Sequence, residues 1–98
     1  MDKVRKPKVT QLAAGKIFTT KQMAANAGEL LPKHKASHES VLIITQGSCI
    51  MNMEGKEHQL ELSDVIVIPA GEIHQIRAKE DLKAVHIMPK EIQFEFFN

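Results

Sequence analysis

Three histidines are candidates for chemistry because each lies at an inward-facing position of a predicted strand. In "HQIRA" (74–78), His74 alternates with Gln75 and Arg77 and shares its face with Ile76. Side chains point alternately to the two faces of a strand, so an apolar face should be the buried one. The same alternation directs His34 and His86 inward. A buried neutral imidazole needs a hydrogen-bond partner or a metal, so these positions predict a binding site.

One interpretation of the three histidines is a metal site. Imidazole nitrogens from separate strands can hold one divalent transition metal, such as Zn, Ni, Fe or Mn, and leave coordination positions open for substrate. The predicted ligands are His34, His74 and His86. His38 lies in "ASHES" (36–40), where a strand is expected to bend, and it is an alternative ligand.

The other interpretation needs no metal. His34 and His74 would then act as hydrogen-bond donors or acceptors for a small polar or anionic molecule in the interior of the fold. Apolar walls for such a pocket are expected from Leu42, Ile44 and Ile76. The sequence names neither the ligand nor a reaction.

Short strands separated by turns must position these side chains. Segments with strand character are "VLIIT" (41–45), "HQLEL" (58–62), "VIVI" (65–68), "EDLKAVHIM" (80–88) and "IQFEFF" (92–97). The segment 19–28 is the only plausible helix, and with strands on both sides we expect a strand there too. "MEGKE" (53–57) reads as a hairpin turn, and Leu60 and Leu62 should share one face. This pattern predicts an all-β, antiparallel barrel of roughly eight to ten strands.

Composition excludes several classes of function. The 98 residues are expected to form a single domain, 1–98, and 13 basic against 12 acidic residues leave a net charge of +1. No strong field recruits nucleic acid, and no apolar run approaches the roughly eighteen residues that span a bilayer. We see no secretion signal, and Cys49 is the single cysteine. The expected location is therefore cytoplasmic.

Two spaced motifs resemble those of the cupins, which are small jelly-roll barrels. The first cupin motif, G-x5-H-x-H-x3,4-E-x6-G, is matched by Gly28, His34 and Gly47. The second, G-x5-P-x-G-x2-H-x3-N, is matched by Pro69, Gly71 and His74 within "SDVIVIPAGEIHQI" (63–76). The resemblance covers about residues 26–88 and implies a cupin-like jelly roll.

Departures from the cupin motifs affect the implied metal. Typical cupins hold a metal with three histidines and one glutamate. Here Ala36 stands at the second-histidine position and Ser40 at the glutamate position, while Ser63 and Ala78 replace the outer residues of the second motif. The fold is thus implied more firmly than the metal. We expect a small-molecule-binding barrel, with a metal-dependent dioxygenase- or isomerase-like enzyme as the alternative.

The last segment predicts a homodimer. "IQFEFF" (92–97) carries three of the four phenylalanines, which is too apolar for a free tail. We expect it to lie in an interface between two copies. The alternative is that it folds back onto its own barrel.

Overall fold

The fold consists entirely of short strands. A computed structural model describes residues 3–97, and no helix occurs among them. The ten strands are β1 (Lys8–Ala14), β2 (Phe18–Ala25), β3 (His34–Ala36), β4 (Ser40–Gln46), β5 (Cys49–Met53), β6 (Lys56–Leu60), β7 (Val65–Ile68), β8 (His74–Ala78), β9 (Leu82–Pro89) and β10 (Phe94–Phe96). The segment 19–28 is thus mainly a strand, as expected. No helix of the described residues is long and apolar enough to cross a membrane.

The strands form two five-stranded antiparallel sheets. Their orders are β1-β2-β9-β4-β7 and β10-β3-β8-β5-β6. Neighbours in each sheet are mostly distant along the chain, as a jelly roll requires. The all-β, antiparallel jelly-roll prediction is confirmed.

The inner faces of the two sheets enclose the apolar core. In β4, buried positions alternate with more exposed ones, and Leu42 and Ile44 are buried. Met51 on β5 meets them from the second sheet, and Leu82 and Ala84 come from β9. Burying a side chain of this kind stabilises the fold by about 1.5–3 kcal/mol, so the core holds the sheets together.

The turns on either side of β6 bear on two of the sequence predictions. Glu54 and Gly55 have φ angles of 56° and 72°, and this pair of left-handed residues joins β5 to β6 as the predicted hairpin. The prediction that Leu60 and Leu62 share one face is wrong. Leu60 is 7% exposed and Leu62 is 62% exposed. The strand ends at Leu60, and the chain then turns through Ser63 at a φ of 74°, so the alternation stops.

The C-terminal strand folds back onto its own barrel. Phe94, Glu95 and Phe96 of β10 pair with β3. The strand thus lies on its own barrel, yet Phe94, Phe96 and Phe97 stay 36%, 60% and 44% exposed. The homodimer stays a prediction.

Candidate functional site

His34 and His74 begin adjacent strands and face each other across them. They are paired in register between β3 and β8, and their ring centroids lie 4.3 Å apart at an interplanar angle of 62°. The turn before β8 sets this register. Gly71 has a φ of 80°, which favours glycine, and its N–H donates to the Ala36 carbonyl at 2.8 Å. The two imidazoles therefore lie side by side on one face of the same sheet, rather than opposite each other across the barrel interior.

Backbone hydrogen bonds fix how both rings present their nitrogens. The Nδ1 atom of His34 lies 3.0 Å from the Pro32 carbonyl, and the Nδ1 atom of His74 lies 3.0 Å from the Glu72 carbonyl. A carbonyl oxygen only accepts, so each Nδ1 carries the hydrogen. In the neutral rings, each Nε2 then holds a lone pair. Both residues are therefore oriented as acceptors or metal ligands through Nε2.

Burial keeps His74 uncharged. Its side chain is 3% exposed. Burial lowers the pKa of His74, the hydrogen bond to Glu72 raises it in part, and the neighbouring His34 lowers it further. The net shift is downward, so His74 is neutral at pH 7 and presents Nε2 as an acceptor.

His86 joins this pair from the opposite sheet. It lies on β9, and its Nε2 atom is 2.7 Å from the Oγ atom of Ser40 on β4. Burial lowers the pKa of His86 to about 4, and proximity to His74, His34 and Lys21 contributes. The three predicted histidines thus come close together, but the Nε2 atom of His86 already has a partner.

Lys21 is a site residue that the sequence analysis missed. It pairs in register with His86 between β2 and β9, and cross-strand partners project to the same face. Met23 and Ala25, two and four residues further on, reach the core on that face. Strand alternation alone places Lys21 on the face of Met23 and Ala25, so the signal for it was present in the sequence.

Two phenylalanines cover the histidines from the C-terminal strand. The ring centroid of Phe94 lies 5.7 Å from that of His34 and 6.3 Å from that of His86. The ring of Phe96 lies 5.2 Å from His34. Both phenylalanines are themselves exposed, Phe94 at 36% and Phe96 at 60%. They form an aromatic rim at the open end of the barrel, and we call the space bounded by this rim and the three histidines the mouth.

The predicted apolar walls lie at different depths. Leu42 is the cross-strand partner of His86 and adjoins the mouth. Ile44 and Ile76 are buried deeper in the core cluster, opposite Ala84 and Met51. Ile44 and Ile76 therefore belong mainly to the apolar core.

Two concave surfaces flank the mouth. One of about 400 Å³ has His74 on its wall, together with Asn52, Met53 and Ile73. The other, of about 560 Å³, runs past Phe94 and Ala36. A small ligand commonly occupies a concavity of this size, and the smaller one gives access to His74.

The residues present do not complete the metal site that the cupin resemblance implies. Ala36 offers no ligand atom, and the Ser40 hydroxyl is engaged with His86. His38 lies in the loop after β3, where its Nδ1 atom is 2.7 Å from the Ser37 hydroxyl. Within residues 3–97, no group of three or more His, Cys, Asp or Glu side chains is arranged to hold a metal ion.

Most of the chain matches one known protein family. Residues 20–95 match the family model of the AraC-like ligand binding domain. No curated protein sequence matches the chain significantly.

Solved structures show the same cupin fold. A cupin superfamily protein from Desulfitobacterium hafniense DCB-2 has a TM-score of 0.78 at 20% identity, over 91% of this chain and 82% of that one. KdgF from Halomonas sp. has a TM-score of 0.79 at 19% identity, over 85% and 77%. Salicylate 1,2-dioxygenase from Pseudoaminobacter salicylatoxidans, in adducts with gentisate, has a TM-score of 0.84 at 12% identity. The match covers 98% of this chain but 30% of the dioxygenase chain.

Proposed function

This chain belongs to the AraC-like ligand binding domain family, and on that premise we propose that it binds a small molecule at the mouth of its barrel. The observation that carries the proposal is the His34–His74 pair. Two imidazoles 4.3 Å apart both have Nδ1 bonded to the backbone, which leaves both Nε2 atoms to meet a ligand. Fixing two rings in advance reduces the entropy lost on binding.

The site selects a ligand with hydrogen-bond donors. Neutral imidazoles with Nδ1 protonated accept through Nε2, so hydroxyl or amine groups suit them. Leu42 and the rings of Phe94 and Phe96 supply apolar contact beside them. The ligand is therefore a small molecule that is polar on one side and apolar on the other.

The proposed role is binding rather than catalysis. The Cys49 thiol is buried, and burial raises its pKa to about 11, so it is a poor nucleophile. His34 and His74 are held by backbone carbonyls, and the Ser40 hydroxyl that contacts His86 is on a residue only 3% exposed.

Thermal unfolding in the presence of small hydroxylated compounds tests this proposal. Compounds that stabilise the wild type should fail to stabilise a His74→Phe variant, which keeps a ring but loses Nε2. The matched control is His58→Phe on the edge strand β6, which should respond like the wild type. Equal stabilisation of all three proteins would show that the ligand does not contact His74.

A metal-dependent enzyme is the second candidate, of the dioxygenase or isomerase type. It is favoured by His34 and His74 at two of the cupin ligand positions and by the structural likeness to salicylate 1,2-dioxygenase. Titration of Zn, Ni, Fe and Mn into wild type beside His74→Ala distinguishes the two functions. Tight stoichiometric binding that the variant loses would favour the enzyme, whereas weak binding that is the same in both would favour the ligand-binding barrel.

We also propose a homodimer, formed through the outer face of the sheet β1-β2-β9-β4-β7. In register, Val41 pairs with Val67 and Ile87, and Ile43 pairs with Val65 and Val85. These six positions make one continuous uncharged apolar surface. An uncharged face complements a second copy of itself about a two-fold axis, as in most small oligomers.

Light scattering of wild type and Ile43→Glu at tens of micromolar tests the dimer. We expect a dimer for the wild type and a folded monomer for the variant, because a glutamate on this face would be desolvated in the interface. A Gln59→Glu control on β6 of the other sheet should remain dimeric. A monomeric wild type would refute the proposal.

A cytoplasmic location is proposed from the cysteine. Cys49 is buried and free, and it would gain nothing from an oxidising compartment. Fractionation of cells expressing the protein tests this, and recovery outside the cytoplasmic fraction would contradict it.

A further inference from the structure

We propose that Lys21 is a carboxylate-binding residue at the mouth of the barrel and that the ligand is a small hydroxycarboxylate. This inference rests on the proposed binding function and adds the chemical class of the ligand. It also assigns a role to a strand, β2, that neither cupin motif includes.

The position of Lys21 carries the first step. Lys21, His86 and Leu42 stand side by side on β2, β9 and β4, in register and on one face. Leu42 is in the core, so this face is the inner one. Lys21 itself is part-buried. Its long side chain therefore starts on the inner face of the sheet, beside His86, and its charge lies close enough to contribute to the lowered pKa of His86.

The second step of the argument rests on the charges around Lys21. Within residues 3–97, the ion pair found is Arg5 with Glu29, and no carboxylate lies within ion-pair distance of the Lys21 ammonium. The titratable groups that face His86 are His74, His34 and Lys21. The mouth thus holds one cation and three imidazoles without a counter-anion. A part-buried cation is stabilised when an anion supplies the missing charge.

The hydrogen-bonding pattern carries the third step. The Lys21 ammonium only donates, which suits a carboxylate. The Nε2 atoms of His34 and His74 accept, which suits a hydroxyl and repels an ionised carboxylate. A neutral sugar would leave Lys21 without an anion, and a dicarboxylate would place an acceptor against two acceptors. A small molecule with one carboxylate and one hydroxyl gives the Lys21 ammonium an acceptor and the histidine Nε2 atoms a donor.

Titration with two hydroxycarboxylates and their matched analogues tests the inference. The probes are aliphatic 4-hydroxybutyrate and aromatic 3-hydroxybenzoate, whose ring can stack on the aromatic rim. Each is compared with its uncharged amide, and 3-hydroxybenzoate also with benzoate, which lacks the hydroxyl. Binding is followed through the ring-nitrogen resonances of the histidines. Variants are Lys21→Met, Lys21→Arg and the control Lys83→Met, which removes an exposed lysine from the outer face of β9.

We expect at least one hydroxycarboxylate to shift the Nε2 resonances of His34 and His74. Its affinity should exceed that of its amide by about tenfold, which corresponds to one charge-assisted contact. Lys21→Met should remove that difference, while Lys21→Arg and Lys83→Met retain most of it.

Two results would overturn the inference in different ways. If a probe shifts both Nε2 resonances but binds wild type and Lys21→Met equally, or binds no better than its amide, the site at the histidines stands and the role of Lys21 is refuted. If no hydroxycarboxylate or amide shifts either resonance, the hydroxycarboxylate class is refuted. The proposed binding function then fails as well unless the thermal unfolding screen has found another compound that depends on His74.

Discussion

The Nε2 atom of His86 lies 2.7 Å from the Oγ atom of Ser40, which joins β9 to β4 at the mouth of the barrel. Ser40 is the residue that replaces the glutamate of the cupin motif. At the position where a typical cupin has a metal ligand, this chain therefore has a serine that contacts His86. This contact gives a histidine cluster with two available Nε2 atoms rather than three.

Removal of the Ser40 hydroxyl should destabilise the fold. Ser40→Ala leaves a part-buried imidazole nitrogen without its partner, and this costs about 1–3 kcal/mol. Urea denaturation measures the loss. The double variant Ser40→Ala with His86→Leu should recover much of it, because neither polar group then remains. If the single variant is as stable as the wild type, the contact does not contribute to stability.

His86 should also make stability depend on pH. Its pKa is lowered from 6.5 to about 4, so the unfolded chain binds a proton that the folded chain does not between these values. The stabilising difference is present above pH 6.5 and is lost as the pH falls toward 4. We expect a loss of about 2 kcal/mol, reduced from the full shift because the ring is only part-buried.

The His86→Leu variant provides the comparison for this pH dependence. Free energies of unfolding of both proteins, measured from pH 7 to pH 4, should show a shallower decline for the variant. Parallel curves would mean that another group causes the decline.

Cys49 should be inert in the folded protein. It is buried, and its pKa of about 11 leaves almost no thiolate at pH 8. A thiol reagent such as Ellman's reagent should react with it only after unfolding in denaturant. Rapid reaction in native buffer would show that the core opens readily around β5.

The aromatic rim should protect His34 from modification. Phe94 and Phe96 lie within 5.7 Å and 5.2 Å of its ring, measured between centroids. Phe94→Ala should therefore speed the reaction of His34 with diethyl pyrocarbonate several-fold, as followed by peptide mass spectrometry. Phe97→Ala, whose ring lies near Lys35 instead, is the control. Equal rates in both variants would show that β10 does not cover the mouth.

Strand alternation and turn chemistry explain which parts of the fold and site the sequence predicts. His34 and His74 were found because β3 and β8 place apolar residues at alternate positions around them. The Pro69–Gly71 turn fixes where β8 starts, so the register of His74 is local information. Leu62 was assigned wrongly because alternation does not show where a strand ends.

Contacts between sheets were beyond the reach of the same reasoning. Ser40 and His86 are 46 positions apart, and their hydrogen bond depends on the pairing of β4 with β9. Lys21 was overlooked because its segment carries mixed helix and strand signals. The pairing of β10 with β3 was equally out of reach, because composition shows that the C-terminal segment is apolar but not which strand it pairs with.

The ring-nitrogen spectrum of the histidines tests the central claim most directly. At pH 8, long-range ¹H–¹⁵N correlation of the protein should show His34 and His74 in the Nδ1-protonated form, with both Nε2 atoms unprotonated. Addition of a bound hydroxycarboxylate should shift both Nε2 resonances as they accept hydrogen bonds, and leave that of His58 unchanged. Nε2-protonated rings at His34 and His74, or Nε2 resonances that no bound ligand moves, would contradict the account.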